Sequence, residues 1–123
     1  MLTIYHNPRC SKSREALELT QQFADQNSLA LNVIDYQITP LVESQLLKLH
    51  HLLQSENAVS VPEMMRENED IYSQLNLHSA TDDVLFAAIA THPILLQRPI
   101  IVYDERAIIA RPPENVARIL LAH

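Results

Sequence analysis

Glycine is absent from all 123 positions of this chain. That excludes the glycine-rich loops that cradle phosphates in P-loop and dinucleotide-binding proteins, because those loops need residues without a Cβ. Any anion site here must be built from other means: helix termini and cationic side chains. Tight turns that require positive φ must also fall to other residues, of which asparagine is well suited.

A length of 123 residues fits one domain, 1–123. Apolar residues make up 47% and charged residues 20%, the balance of a folded globular chain. The chain contains no run of about 18 apolar residues, the length a helix needs to cross a bilayer, and Met1 to Cys10 lacks the basic start and long apolar stretch of a secretory signal. The expectation is a cytoplasmic protein with no membrane partner. One cysteine allows no internal disulfide. The net charge of −6 argues against nucleic acid as a partner. Yet the first fourteen residues carry Arg9, Lys12 and Arg14 and no acid, so a +3 spot surrounds the only thiol while the remainder carries −9. Seven of the nine basic residues are arginine, the residue that makes planar, multi-dentate contacts to oxyanions.

The apolar pattern predicts a β-α-β unit, a helical insertion over about 41–92, and a β-β-α unit. Leu2 to Tyr5 reads as a strand stopped by Asn7-Pro8. Ala16, Leu17, Thr20, Phe23 and Ala24 recur at helical spacing up to about Gln26. Leu29 to Tyr36 reads as a second strand, with Leu31, Val33 and Asp35 on one face. Val42, Leu46, Leu49 and Leu53 line a helix over about 41–54. Thr81 is placed as the N-cap of a further helix limited by Pro93. Pro99 to Tyr103 and Ala107 to Ala110 form a hairpin, and Pro112-Pro113-Glu114 opens a last helix carrying Val116, Ile119 and Leu120 inward. A right-handed β-α-β crossover makes the first two strands parallel. The expected fold class is α/β: a thioredoxin-like mixed sheet.

Cys10 falls between a strand end and a helix start. Helix N-terminal N–H groups, the charges of Arg9, Lys12 and Arg14, and a nearby His6 all favour a thiolate; such sites bring a thiol from about 8.5 to roughly 3.5–7.5. A buried, inert cysteine is the bland alternative, which the polar flanks disfavour. Zinc is not expected, since there is no second cysteine and no histidine at ligand spacing. A tetrahedral oxyanion resting on the same helix start would face the sulfur. Taken alone, Arg66 reads as a surface ion-pair residue among Glu63, Glu67, Glu69 and Asp70, and Arg98 and Arg111 as strand-edge residues. Arg106 and Arg118 read as solvated charges, His50-His51 as a solvated helix face, and Met64-Met65 as core.

The segment from His6 through Asn7-Pro8-Arg9-Cys10-Ser11-Lys12-Ser13 to Arg14 resembles the active-site segment of the glutaredoxin-dependent arsenate reductase family. His92 to Ile101 resembles its second hallmark and Arg111-Pro112-Pro113-Glu114 its third. Val61 to Leu77 also fits, so the resemblance spans nearly the whole chain and is nearest to the short members. It implies that Cys10 attacks arsenate and that Arg66, Arg98 and Arg111 hold the oxyanion and its thiol adduct. It implies supporting roles for His6, Ser13 and Arg14, and a cis proline at Arg98-Pro99. Glutathione would be the co-substrate and glutaredoxin the partner that reduces the Cys10–glutathione disulfide, with no bound cofactor and no metal. Positions where the family usually carries glycine hold Gln26-Asn27 and Asp104-Glu105-Arg106. Two other functions fit the residues: glutathione-linked thiol transfer on another substrate, and a non-enzymatic regulator that docks on a protein such as RNA polymerase.

Overall fold

The structure is a computed structural model that describes residues 2–55, 58–97 and 99–117. Strand β1 (Leu2–His6) leads through helix α1 (Ser11–Gln26) to β2 (Leu31–Asp35). The helical insertion follows: α2 (Glu43–Leu53), α3 (Asp70–Gln74) and α4 (Asp82–Thr91), with single 3₁₀ turns at Pro62–Met64, Leu77–Ser79 and Pro93–Leu95. Strands β3 (Ile100–Tyr103) and β4 (Arg106–Ile109) then lead to a 3₁₀ turn at Pro113–Asn115. The sheet order is β2-β1-β3-β4, with β1 parallel to β2 and antiparallel to β3, and β3 antiparallel to β4. This is the thioredoxin-like arrangement expected from the sequence.

Strand alternation sorts the core into two layers. Leu2 and Ile4 of β1, Ile101 of β3 and Ile108 of β4 are buried on the α1 side, where Ile4 pairs with Ile101 and Ile101 with Ile108. Tyr5, Ile100, Val102 and Ala107 face the insertion, whose Leu46, Leu49, Leu53, Leu85 and Ile89 close that layer. The buried stripe of α1 is Ser13, Ala16, Thr20 and Ala24. These are small residues, so the helix can lie close on the sheet. The Thr20 hydroxyl donates to Ala16 O at 2.7 Å, which satisfies it inside the layer.

Helix α1 ends without glycine. Leu29 N–H reaches Ala24 O at 2.8 Å and Ser28 N–H reaches Asp25 O at 3.4 Å, while Ser28 takes φ 54°. This is the paired-bond helix stop that normally uses glycine at its left-handed position. The sequence pointed to Asn27, but Asn27 closes the helix at φ −110° and the left-handed turn falls one residue later. The β3–β4 turn likewise places Asp104 at φ 54°, and Asn76 takes φ 55° before Leu77–Ser79.

Some expectations need correction. Val33 is 44% exposed, because β2 lies at the sheet edge, and Val42 is 57% exposed, because it precedes α2 instead of lying on its inner face. Thr81 holds the N-cap position of α4, but its hydroxyl makes no capping bond. His50 is not a solvated residue: Nε2 lies 2.7 Å from Val59 O and its ring packs edge-on against Phe86. Arg106 begins β4 instead of sitting in the turn. Met64 and Met65 are core, as expected. Ile119, Leu120 and Arg118 lie outside the described residues. No helix among the described residues is long and apolar enough to cross a membrane.

Candidate active site

The strand register brings three loops to one end of the sheet. His6 ends β1 opposite Asp35, Tyr5 lies opposite Ile100 at the start of β3, and Ile100 lies opposite Ile109 at the end of β4. Residues 7–10, residues 96–97 with Pro99, and residues 110–112 therefore leave the sheet together, and Ala110 N–H to Pro99 O (2.9 Å) ties the last two segments.

Asn7-Pro8-Arg9-Cys10 is a tight turn closed by Cys10 N–H donating to Asn7 O at 3.0 Å. Proline at its second position presets φ, and asparagine at its first can satisfy the backbone two residues on. Asn7 Oδ1 does so, accepting Arg9 N–H at 3.0 Å. Cys10 is the N-cap of α1, with extended backbone (φ −98°, ψ 122°), and its carbonyl accepts Arg14 N–H at 3.0 Å as the first helical bond. The thiol is partly buried, at the position where a capping oxygen ordinarily meets the exposed amides of the first turn.

The supporting residues lie beneath this turn. Ser13 is fully buried; its Oγ accepts Asn7 N–H at 3.0 Å and lies 2.7 Å from His6 Nδ1. Arg14 Nη1 donates to Pro8 O at 2.9 Å, so its guanidinium braces the turn from outside. Burial lowers the pKa of His6 below its ordinary 6.5; Asp35 opposes this and Arg14 adds to it, while the Ser13 bond acts against it.

Arg66 and Arg111 share a cavity of about 130 Å³ with Glu67, Asn68 and Gln97. Arg66 reaches it because Met65 and Leu96 pair as a short antiparallel bridge, with Arg66 N–H on Leu95 O (2.7 Å) and Gln97 N–H on Met64 O (2.9 Å). Arg66 also meets Glu69 at 3.9 Å, so the ion-pair reading of this residue holds as well. Cys10 does not line this cavity; it is related to Arg111 through the shared sheet end. Arg98 lies outside the described residues, and with it the Arg98-Pro99 bond. Pro99 itself is buried. A cis bond is present at Arg111-Pro112.

Gln97 and Asn7 fall inside the segments that carry the family resemblance, but the sequence assigns neither a site role. Asn7 carried a signal, the Asn-Pro turn pair. Gln97 carried none beyond its place next to Arg98. Among the described residues no group of three or more His, Cys, Asp or Glu side chains could hold a metal ion.

A family model described as ArsC matches residues 5–119. The chain belongs to the ArsC family. It is 41% identical over 119 residues to the uncharacterized protein YfgD of Escherichia coli K12, covering 95% of this chain and 94% of that one. It is 39% identical over 121 residues to an arsenate reductase of Neisseria meningitidis serogroup A, covering 97% of each. Among solved structures, an arsenate reductase from Vibrio cholerae superimposes with a TM-score of 0.83 at 43% identity, covering 96% of each chain. As an ArsC-family protein it shares the fold of the Vibrio cholerae arsenate reductase across nearly its whole length.

Proposed function

We propose that this chain reduces arsenate to arsenite through Cys10. The observation that carries this reading is the clustering of Arg66 and Arg111 in one small polar cavity, with Arg111 leaving the same end of the sheet as Cys10, which holds the N-cap position of α1. Two guanidiniums neutralise and orient a tetrahedral oxyanion, and a thiolate at a helix start is the nucleophile such an anion would meet. The family resemblance adds Arg98 as a third cation of the set. The arsenate reductases among the relatives support the chemistry.

In this mechanism the Cys10 thiolate attacks arsenic(V) and an arsenate oxygen leaves as water. A glutathione thiol then attacks the Cys10 sulfur. The sulfur–arsenic bond breaks, its electron pair stays on arsenic, and arsenite, arsenic(III), departs. The Cys10–glutathione disulfide that remains is reduced by glutaredoxin. A single cysteine fits this scheme, because a chain without a resolving thiol must borrow one. His6, Ser13 and Arg14 hold the turn, and the reaction takes place in the cytoplasm, where glutathione is reduced.

The test is arsenate-dependent NADPH oxidation coupled through glutathione, glutaredoxin and glutathione reductase. Turnover that requires arsenate, glutathione and Cys10 supports the reading. A glutathione-dependent signal on other disulfides with no response to arsenate would replace it with general thiol transfer.

A further inference from the structure

A groove of about 520 Å³ runs along α1 beside the cysteine turn. Pro8 of the turn stands at one end and Asp25 at the other, with Arg14, Leu17 and Glu18 along the helix and Val33 of β2 completing the wall. The helix residues share one face, since positions three and four apart are neighbours. That face leads back to Cys10, whose carbonyl accepts the N–H of Arg14 one turn on. Pro8, Leu17 and Val33 supply apolar contact, and Val33 is exposed because β2 is an edge strand. The charges are divided: Arg14 lies nearest the cysteine along the helix, Glu18 and Asp25 farther along. Arg14 Nη1 donates to Pro8 O at 2.9 Å, and a guanidinium carries five N–H donors, so that bond leaves others for a carboxylate.

The groove and the arginine cavity approach the cysteine turn from opposite sides. In the sheet order β2-β1-β3-β4, the turn after β1 lies between β2, whose Val33 lines the groove, and β3 and β4, whose flanking Gln97 and Arg111 line the cavity. In the proposed reduction a second thiol displaces arsenic from the Cys10 sulfur. Displacement at sulfur is in line, so the incoming sulfur and the departing arsenic lie on opposite sides of it. With arsenic held by the arginines, the incoming thiol must arrive from the β2 side.

We infer that this groove seats glutathione for its attack on Cys10. The inference rests on the reduction proposed above and assigns where the second thiol binds. From Arg14 to Asp25 the helix advances about 16 Å at 1.5 Å per residue, and an extended tripeptide needs roughly 11 Å. Glutathione carries a carboxylate at each end and one ammonium. Arg14 takes a carboxylate, Leu17 and Val33 pack on the glutamyl methylenes, and Glu18 takes the ammonium. Glutathione attacks as its thiolate, having lost its proton to solvent. The sulfur–sulfur bond forms, the sulfur–arsenic bond breaks, and the electron pair stays on arsenic as it is reduced from arsenic(V) to arsenic(III).

Two measurements on the full chain test this. The first is the steady-state kinetics of arsenate reduction. Glu18→Lys and Val33→Asp change exposed positions. Each should raise the KM for glutathione by about tenfold, while kcat at saturating glutathione and kcat/KM for arsenate stay near wild type. An unchanged glutathione KM in both variants would overturn the inference. The second needs no arsenate: oxidised glutathione converts the isotope-labelled wild type to the Cys10–glutathione disulfide, and nuclear Overhauser contacts locate the tripeptide. Contacts from the glutamyl methylenes to the methyl groups of Leu17 and Val33 are expected. Their absence overturns the seat, whether the contacts fall on Arg66 and Gln97 or on no residue at all. If they are present but no arsenate turnover is found, the proposed reduction fails and the seat stands. If turnover is found without them, the reduction stands and the seat fails.

Discussion

Ser13 Oγ lies 2.7 Å from His6 Nδ1 and accepts Asn7 N–H at 3.0 Å, so one fully buried hydroxyl joins the end of β1, the cysteine turn and the first turn of α1. Ser13→Ala leaves a ring nitrogen and a backbone N–H without their partner. The expected loss is about 1–3 kcal/mol of stability, measured by urea unfolding, together with a slower reaction of Cys10 with iodoacetamide at pH 7. Wild-type stability in this variant would show that the bond carries no weight.

The lowered pKa of His6 makes a pH prediction. The unfolded chain binds a proton near 6.5 and the folded chain only at lower pH, so the unfolded state gains protons first as pH falls. The His6 contribution is thus fully present above 6.5 and is lost as pH falls through the folded-state value. Unfolding midpoints recorded between neutral and mildly acidic pH should fall, and His6→Asn should flatten that part of the profile. An identical slope in both proteins would rule His6 out as the source.

Ser28 occupies the left-handed position that ends α1, at φ 54°. A residue with a Cβ pays about 1–2 kcal/mol there. Ser28→Gly should therefore raise stability by about 1 kcal/mol in urea unfolding, although the same change inside a helix lowers it. A destabilised Ser28→Gly would mean that the serine side chain contributes something that the helix stop does not explain.

The element order and the two-layer core were legible because small and apolar residues repeat at helical spacing on α1 and alternate on β1, β3 and β4. The cysteine turn was legible because Asn-Pro, Cys and the basic residues are contiguous. Other features depend on tertiary contact. Val33 has the alternation of a half-buried strand and is exposed only because β2 is an edge. His50 is drawn inward by a carbonyl nine residues away. Gln97 faces the same cavity as Arg66 only because residues 64–66 pair with 95–97. The arginines were singled out by resemblance to a family, not by any local pattern that distinguishes them from surface cations.

Arg66→Ala and Arg111→Ala should each lower arsenate kcat/KM by about tenfold to a hundredfold, the cost of one charge-assisted contact at roughly 1.5–3 kcal/mol. Arg98→Ala is expected to do the same. The check is steady-state kinetics over arsenate concentration with glutathione saturating. Unchanged values for Arg66 and Arg111 would remove their cavity from the reaction.

Cys10→Ser should abolish arsenate turnover while far-ultraviolet circular dichroism and the unfolding midpoint stay close to wild type, since the turn is closed by backbone and Asn7 contacts that a serine preserves. Residual turnover would require another nucleophile, and the chain has no other thiol.

The most direct measurement is the alkylation rate of Cys10 against pH, with and without phosphate. A sulfur held as thiolate by the helix start and its basic neighbours reaches its plateau rate by about pH 7, and phosphate held by the arginines slows it. A rate that keeps rising through about pH 8.5, indifferent to phosphate, would contradict the account.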